Sequence, residues 1–442
     1  MTMSNLNLLL LSFFFITLAR CGGETQNNSS VSALFILGDS SVNCGNNGLF
    51  SNFLHDRSSI YPCVGFETRL LPDLLGDKLG LPMIPPFYGQ NGSIEGLLSG
   101  LNFGSSQATI INTGNLAFQA LNHQLRQLYE TLQMLQMQLG QTKSSNLVQS
   151  SLFYISLGKD DYIQLFLHKF SSLRHKYSGG AFAHILVQQM IRVVKDLYNA
   201  NARKIIVIGI GPLGCAPRAL WESYNSTAHT NADDRHCVQE INELILQYNA
   251  MLSEHLLELN YELFDAQIVF CDVYQGMLQI INNPKRYGFS DVRRACCGLG
   301  RYGGMVGCVS KEMACDDPSL HVWWDFYNPT QGVNSLLANW TWSGQPSHLC
   351  QPIDIKHLAS SSAEHFNRAA RTASTAIIWN DCAPPKRPTY NTGSETQRLA
   401  PNSLVVATGV ISLQENIGCP KKRDSIVLEL SIAVSVFLEE RS

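Results

Sequence analysis

Short apolar runs that stop at a glycine or a cysteine recur along the chain, with helix-period segments between them. Ala33 to Leu37 runs apolar up to Gly38, and Leu152 to Leu157 runs apolar up to Gly158. Lys204 to Ile210 and Gln267 to Cys271 repeat the pattern. Each run has the length of a buried strand. Apolar residues at helical spacing fill the stretches near Leu70 to Leu79, Leu116 to Leu139, Ala181 to Asn199 and Val238 to Leu259. Strands separated by helices imply βαβ crossovers and a parallel sheet covered on both faces. In such sheets the functional side chains lie at the carboxyl ends of the strands.

One helical stretch has two readings. Leu121, Leu125, Leu128, Leu132, Leu135 and Leu139 alternate spacings of four and three, a heptad seam that suits a dimerising coiled coil. The same stripe is more commonly the core face of a long amphipathic helix.

The two ends differ from the middle. Leu8 to Ala19 is apolar, polar residues follow, and small residues at Ala19, Cys21, Gly22 and Gly23 frame a cleavage site, so residues 1–23 read as a signal peptide. From about Ser360 the character changes. Asp381 to Pro401 is rich in Pro, Thr, Ser and Asn, and the chain closes on Glu439, Glu440 and Arg441. Residues 360–442 therefore read as an extension outside the main domain. Ile426 to Leu438 is interrupted by Glu429 and is too short for a membrane span, which takes about 20 residues.

Composition narrows the class. Charged residues are 15% of the 442, below the usual share of about 25%, and hydrophobic ones are 45%. There is ample material for a core. A net charge of −3 without any basic run argues against a nucleic-acid partner. Thirteen cysteines, four of them at 296, 297, 308 and 315, read as disulfides in an exported chain. No histidine interleaves with them at zinc-finger spacing. We expect Cys215 to pair with Cys237, and the four-cysteine cluster to pair within itself in a connectivity that spacing alone does not give.

The chemistry concentrates where strands end. Phe35-Ile36-Leu37-Gly38-Asp39-Ser40, then Val42, Cys44 and Gly45-Asn46-Asn47, is a strand, a tight turn and an exposed hydroxyl. Gly100-Leu101-Asn102-Phe103-Gly104-Ser105, Gly158-Lys159-Asp160-Asp161-Tyr162, and Ala202-Arg203-Lys204 leading to Gly211-Pro212-Leu213-Gly214-Cys215 follow in order. Ala295-Cys296-Cys297-Gly298 and Asp317-Pro318 through Trp324-Asp325 to Pro329-Thr330 complete the series. This series resembles the blocks of the plant GDSL esterase/lipase family of SGNH hydrolases, over residues 31–358.

The resemblance implies a three-layer α/β/α flavodoxin-like fold with a parallel sheet, and a serine hydrolase that needs no cofactor and no metal. In that family a serine attacks an ester carbonyl, a histidine takes its proton, and an aspartate three residues earlier orients the histidine. Ser40 and Asp325 match the serine and the aspartate. The implied oxyanion donors are the backbone N–H of Ser40, a backbone N–H of the second block at Ser106, and an asparagine side chain in the third block, where Asp160 stands.

Two departures strike at the mechanism. Asn328 replaces the histidine, and an amide cannot take up the serine proton near neutral pH. An ionised Asp160 offers no donor to a developing negative charge. Losing the histidine of such a triad costs about a million-fold in turnover. Losing one oxyanion donor costs about a hundred- to a thousand-fold. Two substitutes are available in the sequence: His321, four residues before Asp325, and Asp160 itself. The stretch between Pro62-Cys63 and Thr68-Arg69-Leu70-Leu71 also departs from the family's Gly-Arg-Phe-Ser-Asn-Gly.

Three functions fit. The chain is an impaired hydrolase of carboxylic esters, a non-catalytic relative whose cleft binds an ester, acyl glycan or lipid, or an acyltransferase on the same scaffold. The expected partner is a small ester or lipid, in an extracellular setting, with no integral membrane segment and no stated oligomeric state.

Overall fold

The computed structural model describes residues 31–43, 69–90, 93–112, 120–168, 170–226 and 237–361. The expected signal peptide, the Cys44 to Asn47 part of the first block and nearly all of the C-terminal extension lie outside the described residues.

The four expected strands all form. β1 (Leu34–Gly38), β2 (Leu152–Ser156), β3 (Lys204–Ile208) and β4 (Gln267–Cys271) lie side by side in parallel. A segment of the second block extends the sheet beyond β1: Ile36 N–H donates to Leu101 O and Phe103 N–H to Ile36 O. With that segment outermost, the spatial order is the flavodoxin-like one, in which the second chain segment flanks the first.

Side chains alternate strictly across the sheet. Phe35, Leu37, Phe153, Ile155, Ile205, Val207, Ile268 and Phe270 point to one core. Leu34, Ile36, Leu152, Tyr154, Ile206, Ile208 and Val269 point to the other. The first core is covered by α2 (Leu121–Leu139), α3 (Gly179–Asn199) and α4 (Gln239–Glu262). The second is covered by α1 (Leu71–Lys78), α5 (Val273–Asn282) and α6 (Gln331–Ser343). A sheet covered twice needs strands that are apolar on both faces, which is why these read as unbroken runs.

The leucine stripe belongs to this core. Leu121, Leu128 and Leu135 are buried in it, and Leu125, Leu132 and Leu139 pack against it from the side. The coiled-coil alternative thus gives way to the core-face reading.

β3 stops at Ile208, two residues short of expectation. Asn249 of α4 takes the next backbone groups: Ile210 N–H donates to its Oδ1 at 2.9 Å and its Nδ2 donates to Ile210 O at 2.8 Å. A side chain that satisfies a peptide's donor and acceptor leaves nothing for the ladder. Two further pieces were not expected. β7 (Cys350–Gln351) adds an antiparallel edge beside β4, and β5 (Asp291–Ala295) pairs with β6 (His321–Trp323) as a small separate sheet.

The disulfides follow the reading and extend it. Cys215 bonds Cys237, and the cluster pairs as Cys296–Cys315 and Cys297–Cys308. Cys271–Cys350, which the sequence did not single out, ties β4 to β7. No helix among the described residues is long and apolar enough to cross a membrane.

Candidate active site

β1 ends at a turn that tolerates only glycine. A Cβ on Gly38 would lie 2.2 Å from Val42 Cγ2 and 2.8 Å from Ser156 O. Gln124 of α2 braces this turn: Gly38 N–H donates to Gln124 Oε1 at 2.9 Å, and Gln124 Nε2 donates to Gly38 O at 2.9 Å. The Ser105 N–H also donates to Gly38 O. Asp39 then folds back, accepting from the Ser41 N–H at 2.9 Å and the Ser41 hydroxyl at 2.7 Å. Ser40 is left at the sheet's carboxyl edge, where the strand-end rule places reactive groups.

β2 ends similarly. Gly158 adopts φ of 110°, and the single turn Lys159–Asp161 follows. That turn presents Asp160 to Ser40 with both carboxylate oxygens. The Ser40 N–H donates to Oδ2 at 3.0 Å and the Ser40 hydroxyl donates to Oδ1 at 2.8 Å. Burial, with the charge of Asp39 added, pushes the Asp160 carboxyl up to about 7, against the opposing pull of Lys159 and the two Ser40 hydrogen bonds. The neighbouring Asp161 looks the other way and accepts the N–H groups of Ile110 and Ile111 at 2.8 and 3.1 Å. It anchors the end of the second block to the third.

The third part is the loop after β6. Asp325 Oδ1 accepts the N–H groups of Tyr327 and Asn328 at 3.0 and 2.8 Å. The Asn328 amide nitrogen donates to both Asp325 oxygens, at 3.1 and 3.0 Å. Its carbonyl oxygen accepts from Lys159 Nζ at 2.6 Å. A carboxylate on one side and an ammonium on the other leave the amide only one orientation. Burial raises the Asp325 carboxyl above its ordinary range, offset in part by these donors.

Ser40 and Asp160 therefore meet, Asp325 and Asn328 meet, and Lys159 joins the two pairs. His321 does not take part. Its Nδ1 lies 3.3 Å from Arg294 O, and its electrostatic partner is Asp317. β6 carries it on the small second sheet, turned toward β5. Ser106 is half-buried in the loop beside Gly38, and among the described residues it makes no hydrogen bond with Ser40. Sequence reasoning missed Lys159 as a site residue. The available signal was a lysine directly after Gly158, in the block that carries Asp160.

A cleft of about 700 Å³, open mouth included, runs along the second-core face beside these residues. Its polar end holds Asp39, Ser41, Ser156, Lys159 and Asn328. Its walls include Leu70, Tyr154, Ile208, Val273, Met277 and Trp323. Ser40 and Asp160 are buried and do not line it. Among the described residues, no group of three or more His, Cys, Asp or Glu side chains is arranged to hold a metal ion.

Residues 34–341 match the GDSL-like lipase/acylhydrolase family. The chain belongs to that family. Its relatives include the Arabidopsis thaliana proteins named GDSL esterase/lipase At1g71250, 32% identical over 74% of this chain and 89% of the relative, and GDSL esterase/lipase At1g71691, 29% identical over 75% and 86%. GDSL esterase/lipase At3g50400, also from Arabidopsis thaliana, is 31% identical over 79% of this chain and 96% of the relative. The family's chemistry is ester hydrolysis, and the fold described above is the one its blocks imply.

Proposed function

We propose that this GDSL-family chain is a secreted ester-hydrolase homologue with little ordinary esterase turnover, whose cleft retains the capacity to bind acyl compounds. One observation carries the reading. The Asp160 carboxylate accepts both the N–H and the hydroxyl of Ser40. The family uses that N–H to hold an oxyanion and that hydroxyl to attack. Here a built-in carboxyl group occupies the place of the first and restrains the second. Asn328 adds no base, since its amide is held between Asp325 and Lys159. Four disulfides among the described residues support an oxidising, extracellular setting.

The purified chain should hydrolyse short acyl esters hardly above the uncatalysed rate at pH 7, and Ser40→Ala should change that rate little. Robust turnover that Ser40→Ala abolishes would overturn the reading.

A second reading has its own observation. The Ser40 hydroxyl is 2.8 Å from an oxygen of Asp160, within reach for proton transfer, and that carboxyl is pushed up to about 7. Asp160 would then be the base. Any residual Ser40-dependent turnover would rise with pH through about 7, as Asp160 ionises, and would vanish in Asp160→Asn. A rate flat across that range would count against Asp160 as base.

A further inference from the structure

Lys159 is a buried ammonium that the hydrolytic reading leaves without a task. It is 9% exposed and lines the cleft. Among the described residues it gives one hydrogen bond, to Asn328 Oδ1, and enters no ion pair. An ammonium carries three N–H donors. With one of them given to Asn328, the ammonium keeps donor capacity for an acceptor that enters the cleft.

Asp39, Ser41, Ser156 and Asn328, at the same end of the cleft, are already engaged. Asp39 accepts from Ser41 and from the Asp160 N–H. Ser41 and Ser156 share a hydrogen bond at 2.7 Å. The Asn328 amide spans Asp325 and Lys159. Lys159 is thus the charged donor on the cleft wall, beside the hydroxyl of Tyr327.

The charge around it decides what kind of acceptor fits. Asp39, Asp160 and Asp325 outnumber the single cation, and opposed carboxylates in a low-dielectric site repel strongly. An incoming carboxylate would meet that repulsion. An uncharged carbonyl oxygen would meet only the donor. The apolar walls suit a hydrocarbon tail. Because Ser40 is not on the wall, a carbonyl held by Lys159 is not thereby presented to the nucleophile.

We infer that Lys159 is the recognition residue of this cleft, donating to the carbonyl oxygen of an uncharged ester or amide with an apolar tail and discriminating against the free acid. The inference rests on the binding half of the reading above, not on whether Ser40 turns over.

The test uses the full chain carrying Ser40→Ala, so that no ester is consumed. Methyl octanoate, octanoate and 1-chlorooctane are titrated at pH 8, with the intrinsic tryptophan emission, to which Trp323 on the cleft wall contributes, as the signal. The methyl ester should bind more tightly than octanoate. Adding Lys159→Met should weaken the ester by about tenfold or more, the scale of a hydrogen bond to a charged group, and leave 1-chlorooctane unchanged. Met277→Trp, which fills the cleft, should abolish binding of all three. Octanoate binding as tightly as its ester would overturn the inference, as would an ester indifferent to Lys159→Met or no binding of any probe. If Lys159→Met does not fold, the ester-to-acid ratio with Lys159 in place decides alone. Hydrolysis by the unmodified chain would revise the reading of Ser40 and leave this result standing.

Discussion

An amide at position 328 meets a carboxylate with one end and an ammonium with the other. A histidine placed there would keep the Asp325 contact and face Lys159 with its far nitrogen. The Ser40 hydroxyl, meanwhile, points at Asp160. Asn328→His alone should therefore leave esterase activity near background. Asp160→Asn alone should also do little, for want of a base. The two together should exceed either single change by well over additivity, because base and oxyanion donor serve one step. Adding Ser40→Ala to the double variant should return it to background; a Ser40-independent gain would sink the account. The same carboxyl sets a pH signature in stability. Its folded value, about 7, lies above the ordinary value of 3.8. Between those pH values the folded chain holds a proton that the unfolded chain has lost, so this group's contribution falls as pH rises from about 4 to about 7 and levels off above. The melting-temperature difference between Asp160→Asn and the parent should widen in favour of the variant across that window. A constant difference would show that Asp160 is already ionised throughout.

At the scale of elements, the strands were legible because a twice-covered sheet demands apolar residues on both faces, and those runs stand out. α2 and α4 were legible because their apolar stripes are long. The ladder end at Ile210 was not, since it depends on Asn249, which reaches it from a helix remote in sequence. β7 has two residues and β6 three, too few to show a period. For the site, Ser40, Asp160, Asp325 and Asn328 were readable from motif order, whereas the Lys159–Asn328 contact joins two blocks that only the fold brings together. Gln124 is a similar case, a polar residue inside an apolar stripe that turns out to hold the Gly38 turn. Gln124→Leu removes the acceptor of the Gly38 N–H while the Gly38 carbonyl keeps its bond from Ser105. The loss should be about 1–3 kcal/mol in urea unfolding, the usual cost of one buried unsatisfied donor. An unchanged midpoint would mean the turn holds itself.

For the whole molecule, covalent ties are placed where the sheet is weakest. Cys271–Cys350 joins the last parallel strand to a two-residue edge across a separation of 79 residues. Replacing both cysteines by serine should lower stability by about 2–5 kcal/mol in chemical unfolding, and by more than loss of the shorter loop closed by Cys297–Cys308 if chain entropy governs. Equal losses would point to native-state packing instead. The hold of Asp160 on Ser40 reaches beyond turnover to how such a protein is found. Fluorophosphonate reagents tag serine hydrolases by letting an activated hydroxyl displace fluoride at phosphorus, with the oxyanion pocket gripping the phosphoryl oxygen. A buried serine, with its N–H and O–H both committed to a carboxyl group, offers neither the attack nor the grip. A profile of labelled serine hydrolases should pass over this chain, although its motif would place it in any inventory drawn up from sequence.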